Sequence, residues 1–187
     1  CRIKAILGAE YSLTDEFKIS DSLIIESSLL QTEFNPEETI SISGTVAREN
    51  TGKSNGFIQA RIISNSEEVV KDGTITNGKF ELDLAIPSKI KAGNYVLRIT
   101  ATEKDNDGII TNNGIKDFEI KIKQKPNNLE LILEDTEFLP EEFVKIKAIL
   151  HDQTGESIAS SVYVTIKNSN NKIIEQKEIS TGEFLEY

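Results

Sequence analysis

Apolar residues recur at every second position over several short stretches of this 187-residue chain. Ile40, Ile42 and Val46 alternate with Ser41, Ser43 and Thr45; Ile58, Ala60 and Ile62, then Phe80, Leu82 and Leu84, and then Leu97, Ile99 and Ala101 do the same with their own polar neighbours. A period of two belongs to strands with one face in a core and the other in water. It predicts strands near residues 23–30, 39–47, 57–64, 68–75, 79–86, 95–102 and 115–123. No stretch carries a helical period, so the expected class is all-β. Seven short strands within about 100 residues match the arithmetic of an immunoglobulin-like sandwich.

The pattern then repeats. "TEFNPEE" at 32–38 returns as "TEFLPEE" at 136–142, an offset of 136 − 32 = 104. The same offset sets Ile40, Ile42, Gly44 and Val46 on Val144, Ile146, Ala148 and Leu150. It also sets Ile58, Ala60 and Ile62 on Val162, Val164 and Ile166, Val69 and Val70 on Ile173 and Ile174, and "NGKF" at 77–80 on "TGEF" at 181–184. The second repeat stops inside the strand equivalent to 79–86. Conversely, Ile3, Ala5 and Leu7 alternate as Leu97, Ile99 and Ala101 do, and "EFKI" at 16–19 echoes "DFEI" at 117–120. The expected organisation is therefore the last strands of a preceding repeat (1–21), a complete repeat (22–124) and an incomplete one (125–187), an internal window on a longer array. Another reading makes the first 21 residues a strand added to the next domain or to a neighbouring molecule, since an open sheet edge favours such pairing.

The order of Phe-x-Pro-Glu-Glu, alternating strand, Thr-Gly turn, strand, "NGKF", Ile86-Pro87 with "GNY" six residues on, and "DFEIKI" resembles the immunoglobulin-like repeats of prokaryotic cell-surface proteins. Archaeal surface-layer proteins and large bacterial adhesins carry such arrays, and macroglobulin-like domains share a similar Pro-Gly-Glu turn at a strand start. The resemblance implies tandem immunoglobulin-like β-sandwich domains, an extracellular location at the cell surface, and neighbouring copies or further repeats as partners. This chain has Glu37 and Glu141 where the commoner pattern has Gly, which predicts a type I turn rather than the type II turn that favours Gly. Tyr95, after Gly93 and Asn94, resembles the tyrosine corner of such sandwiches, with a ring in the core and positive φ expected in the two residues before it.

Charge narrows the partners. Twenty-one basic residues against 31 acidic ones leave a formal net charge of −10. That sign opposes binding to phosphates, so nucleic acid is not an expected partner, and it opposes anionic membrane surfaces as well. The apolar runs are too short to span a bilayer, so this segment is not expected to insert directly. The single cysteine, Cys1, excludes an internal disulfide and a thiolate metal cluster. In first position it could suggest a lipid-modified terminus, but within a repeat array it reads as an arbitrary start.

Three stretches invite chemistry. "ARENTGKS" at 47–54 fits a loose phosphate-loop pattern, but a strand pattern follows where the helix should be, no glycine lies between Ala47 and Gly52, and the second repeat has Glu156 at the place of Lys53. Nucleotide binding is not expected. "EKDNDGII" at 103–110 offers hard oxygen ligands for calcium from Asp105, Asn106 and Asp107 with Glu103, beside the plainer reading of a turn with Asp-Gly at its tip. Glu37, Glu38, Glu141 and Glu142 could join such a site but read as solvated acids. His151, the one histidine, sits beside Asp152 and reads as a surface loop residue with no nucleophile placed by a repeat.

These observations lead to the expectation of a non-enzymatic structural segment of a surface layer, stalk or filament, acting in spacing or assembly. Pro126 in "KQKPNN" would stiffen the linker. The alternatives are an adhesin module that binds a protein or glycan, and accessory domains of a secreted protease or a macroglobulin-like protein. No Asn-x-Ser/Thr sequon is present, which disfavours a glycan-coated layer.

Overall fold

The computed structural model describes the chain apart from residues 18, 50, 51, 64–67, 136, 138, 140 and 141. In chain order its strands are β1 (Lys4–Leu7), β2 (Glu10–Leu13), β3 (Leu23–Ser27), β4 (Glu33–Phe34), β5 (Thr39–Arg48), β6 (Gly52–Lys53), β7 (Gly56–Ile63), β8 (Val69–Ile75), β9 (Lys79–Ala85), β10 (Gly93–Lys104) and β11 (Ile110–Ile122). They continue as β12 (Pro126–Leu133), β13 (Lys145–Asp152), β14 (Ser157–Ile158), β15 (Ser161–Lys167), β16 (Ile173–Ser180) and β17 (Phe184–Glu186). No helix occurs among the described residues, and the fold is an all-β immunoglobulin-like sandwich. All seven strands predicted for the complete repeat form, each within a few residues of its expected ends. The two-residue strands β4 and β6 are too short to leave a periodic signal.

Two compact units divide the chain: Cys1–Thr32 with Thr39–Ala85 and Tyr95–Ile120, and Glu33–Glu38 with Ile86–Asn94 and Lys121–Tyr187. In the first, β5 pairs antiparallel with β3, β6 and β9. Antiparallel pairs also join β7 to β8 and to β10. Their inward residues close the core, with Ile40, Ile42, Val46, Ile58, Ile62, Leu84, Leu97 and Ile99 almost wholly buried. The hairpin β1–β2 turns at Gly8, which has φ 62, and every residue of its two strands is exposed.

In the second unit β4 runs parallel to the end of β11, with Phe34 opposite Ile122. β13 pairs with β12, β14 and β17, and β15 pairs with β16. Ala148, Val164, Ile179 and Leu185 form its buried cluster. Ile25 lies opposite Val46, and 104 residues on Leu129 lies opposite Leu150.

Four expectations need correction. The Pro36-Glu37 turn is not type I. Glu37 has φ 70, the positive value of the third residue in a type II turn, and the Glu38 amide donates to the Asn35 carbonyl at 3.3 Å to close it. Glu38 is not simply solvated, because its carboxylate accepts from the Asn35 amide and side chain and is held below the usual carboxylate pKa by those bonds. Glu142 accepts from the Leu139 amide at 2.8 Å in the same way; Glu141 lies outside the described residues.

The "NGKF" to "TGEF" match slips by one residue after the turn. Asn77 and Gly78 have φ 52 and 73, the pair of positive values that a two-residue hairpin favours, and Phe80 is buried. At the second site only Gly182 is positive, with φ 89. A β-branched residue such as Thr181 is a poor fit to the left-handed region. The next strand then enters one residue later, so Phe184 is exposed and Leu185 is buried. Finally, Asn94 does not share the positive φ of Gly93, and Tyr95 is only partly buried.

Candidate functional site: a buried polar joint

The first residues of the expected linker "KQKPNN" at 123–128, Lys123 to Lys125, are fixed by polar side chains of the β13–β14 turn. β13 ends at Asp152, and a tight turn follows in which the Gly155 amide donates to the Asp152 carbonyl at 3.1 Å, with Gly155 at φ 86. Asp152 is 1% exposed and Gln153 8%. Buried polar groups of this kind persist only when hydrogen-bonded, and here every polar atom of both side chains is used.

Asp152 stabilises its own turn and reaches the linker. Its Oδ1 accepts from the Thr154 amide at 2.8 Å, the Thr154 hydroxyl at 2.7 Å and the Glu156 amide at 3.0 Å. Its Oδ2 accepts from the Gln124 side-chain amide at 3.0 Å. Burial pushes the carboxyl pKa up, but the donors from Thr154, Gln124 and Glu156 outweigh it and lower the value to about 2.

The neighbouring Gln153 reads backbone on both sides of the linker. Its Nε2 donates to the Ile90 carbonyl at 3.0 Å and the Lys123 carbonyl at 3.3 Å, and its Oε1 accepts from the Lys125 amide at 2.8 Å. A neutral amide is needed because the site presents two carbonyls and one N–H. Two exposed ion pairs flank it, Lys91 with Glu156 and Lys125 with Glu37. Pro126 opens β12 as its first residue, the place in a strand where proline removes no needed donor.

His151 belongs to β13 and not to a loop. Its Nε2 lies 2.9 Å from Glu130 Oε2 and its Nδ1 lies 3.1 Å from the Gly155 carbonyl. Both neighbours are acceptors, so both ring nitrogens donate and the imidazolium is the matching form. The Glu130 carboxylate and the Gly155 carbonyl raise its pKa accordingly.

The "ARENTGKS" stretch ends in a second polar cluster. Ser54 is fully buried and its hydroxyl donates to Glu103 Oε1 at 2.7 Å, while Arg48 Nε donates to Glu103 Oε2 at 2.8 Å and the Asn55 amide donates to Oε1 at 3.3 Å. Burial raises the Glu103 pKa, but the bonds from Arg48 and Ser54 and the charge of Arg48 bring it below the usual range. Lys53 is exposed in β6, and β7 follows two residues after it; Asn50 and Thr51 lie outside the described residues.

Glu103 is thus separated from the acids it was expected to join. Asp105, Asn106 and Asp107 are exposed in the β10–β11 loop. Asp105 Oδ1 accepts from the Asp107 and Ile109 amides at 3.0 and 2.9 Å, and Gly108 has φ 81, which closes the loop as an Asx turn. Among the described residues no three His, Cys, Asp or Glu side chains converge as metal ligands.

Sequence reasoning missed Asp152 and Gln153 as a working pair. The signal was the repeat itself: Gln153 stands 104 residues after Glu49, and Gln124 stands 104 after Ser20. Glu49 accepts a hydrogen bond from the Ser20 hydroxyl, whereas Gln124 donates to Asp152, one residue before the counterpart of Glu49, so the repeat pointed to the neighbourhood and not to the pairing.

No protein-family model and no curated protein matches the chain. Among solved structures it is similar to a Salmonella alpha-2-macroglobulin mutant, at 12% identity and a TM-score of 0.41 over 98% of this chain and 14% of that one. A trypsin-activated alpha-2-macroglobulin from Escherichia coli gives 15% identity and a TM-score of 0.39 over 100% and 15%. The sporulation control protein Spo0M from Bacillus subtilis gives 13% and 0.30 over 84% and 90%. The chain therefore spans about a seventh of the macroglobulins it is similar to, and its fold assignment stands on the strand pairing described above.

Proposed function

We propose that this chain is a non-enzymatic structural segment of an extracellular cell-surface protein, and that it acts as a spacer in which the segment before β12 is held firmly to the repeat that follows it. The observation that carries the reading is the Gln153 amide, which bonds the backbone of Ile90, Lys123 and Lys125 at once. A flexible tether needs no such group. A buried amide satisfied on all sides ties the linker to the repeat that follows it, because each bond must break before the linker can swing. The negative net charge suits a spacer that must stay soluble while displaying what it carries.

The test is a distance distribution. Spin labels at Lys89→Cys and Asn170→Cys, with Cys1→Ser, place one probe beside Ile90 and one in the β15–β16 loop. A spacer gives one narrow distance that broadens in Gln153→Ala. A broad distribution in the unmodified joint overturns the reading.

A further inference from the structure

The turn that grips Lys123 to Lys125 is itself braced by one side chain, of a type that titrates near neutrality. His151, the chain's one histidine, directs Nδ1 to the Gly155 carbonyl at 3.1 Å and Nε2 to Glu130 Oε2 at 2.9 Å. Gly155 lies in the turn whose Asp152 accepts from Gln124 and whose Gln153 accepts from the Lys125 amide. Glu130 lies on β12, the strand that the linker enters. The ring thus ties the turn to the strand that the linker becomes, and it makes both bonds only with a proton on each nitrogen.

A neutral ring has one proton to give. A carboxylate is a stronger acceptor than a peptide carbonyl, so that proton stays on Nε2 beside Glu130. Nδ1 then presents a lone pair to the Gly155 oxygen, and two acceptors face each other. The lost bond and the repulsion fall on the turn and not on β12. No other group around the ring compensates. Asn128 on β12 and Ser157 on β14 stand opposite His151 and are uncharged. Asp152, next along β13, adds a negative charge that favours the imidazolium, and Glu156 in the turn is paired with Lys91.

We propose that His151 is a proton-operated clasp on the joint: the imidazolium braces the turn and the linker is held, and on deprotonation the Gly155 bond breaks and the hold on Lys123 to Lys125 loosens. The clasp rests on the reading of the Gln153 joint given above. Glu130 and the Gly155 carbonyl both favour the charged ring, so the clasp opens above pH 6.5, on the neutral to alkaline side. The first repeat has Ala47 at this place and lacks the device.

Nuclear magnetic resonance on the full chain reads both the ring and the joint. The protection factor of the Lys125 amide, its exchange rate set against that of an unstructured peptide at the same pH, should fall about fivefold between pH 6 and pH 9. The midpoint of that fall should coincide with the titration midpoint of the ring. In His151→Gln, which has no ring to titrate, the factor should be the same at both pH values. Nitrogen-15 shifts of the neutral ring should place its proton on Nε2. A Lys125 amide that is protected equally at pH 6 and pH 9 overturns the clasp and leaves the joint standing, whereas one unprotected at both removes the joint and the clasp with it. A neutral ring protonated on Nδ1, or a loss of protection that persists in His151→Gln, overturns the clasp as well.

Discussion

The strand pairs β7–β8 and β15–β16 carry the same alternating sequence and end in different environments. Ile58, Ala60 and Ile62 are at most 1% exposed, and Val69 is 9% exposed; at the same offset Val162 and Ile166 are half-buried and Ile173 is 52% exposed. Their pairings also differ, since Ile58 lies opposite Gly73 but Val162 lies opposite Ile179. That is a shift of two residues, which preserves the face of every side chain. Alternation therefore decides which way a side chain points, and the next strand decides whether it leaves water. β10 supplies that cover for β7.

The largest test of this difference is a matched truncation. Ile62→Ala removes a sealed side chain and should cost about 3 kcal/mol, whereas Ile166→Ala, at a half-open site, should cost no more than about 1 kcal/mol. Chemical denaturation of the two variants measures both. Equal costs would show that β15 is already as well covered as β7.

The joint residues sharpen the comparison from the polar side. Gln153→Glu removes the donor that two buried carbonyls use and sets a carboxylate against them, so a loss of about 2 kcal/mol is expected. Its counterpart Glu49 is exposed, and Glu49→Gln should stay within about 0.5 kcal/mol. A Gln153→Glu variant as stable as the parent would remove the joint from consideration.

Asp152 contributes through ionisation. Its folded pKa is depressed to about 2 from 3.8, so its stabilisation is fully present above the unfolded value and disappears as pH falls through the folded one. The difference corresponds to about 2 kcal/mol at neutral pH. The gap in unfolding free energy between the parent and Asp152→Asn should be constant above pH 5 and narrow toward pH 2. A gap independent of pH would mean that the carboxylate charge plays no part.

Sequence made the fold legible and the joint only partly so, for physical reasons. Period-two alternation is a strong signal because each long strand states its face many times over, as β5 does with Ile40, Ile42 and Val46. β4 and β6 state it only once or not at all. Asp152 and Gln153 are polar residues in a Thr-Gly turn, and nothing local distinguishes a buried amide from a solvated one. Only the contact with Gln124 and Lys125, about 28 residues earlier, does so. Glu103 is the converse case, because in sequence it stands with acidic neighbours, whereas in the fold Arg48 of β5 and Ser54 of the β6–β7 loop satisfy its carboxylate. The turn at Glu37 was misread because its positive φ is sustained by bonds from Glu38 and Asn35 rather than by a permissive residue.

That turn separates backbone strain from charge. Glu37→Ala and Glu37→Gly both remove the exposed ion pair with Lys125, but only glycine relieves the left-handed backbone. Glycine should therefore be the more stable of the two by about 1 kcal/mol. Equal stabilities would mean that the neighbouring hydrogen bonds relax the turn on their own.

The smallest expected effect lies at His151, which the second repeat has where the first has Ala47. Its ring faces the Glu130 carboxylate and the Gly155 carbonyl, and its folded pKa is raised above the ordinary 6.5. A raised pKa means that the stabilisation is fully present below 6.5 and is lost as pH rises through the higher folded value. The melting-temperature difference between the parent and His151→Gln should accordingly shrink on going from pH 6 to pH 9, the reverse of the trend at Asp152. Nuclear magnetic resonance titration of the ring reads the same quantity directly. A midpoint at or below 6.5 would show that the ring is not held as the imidazolium, and the pairing across β12 and β13 would then be a neutral contact with no pH dependence of its own.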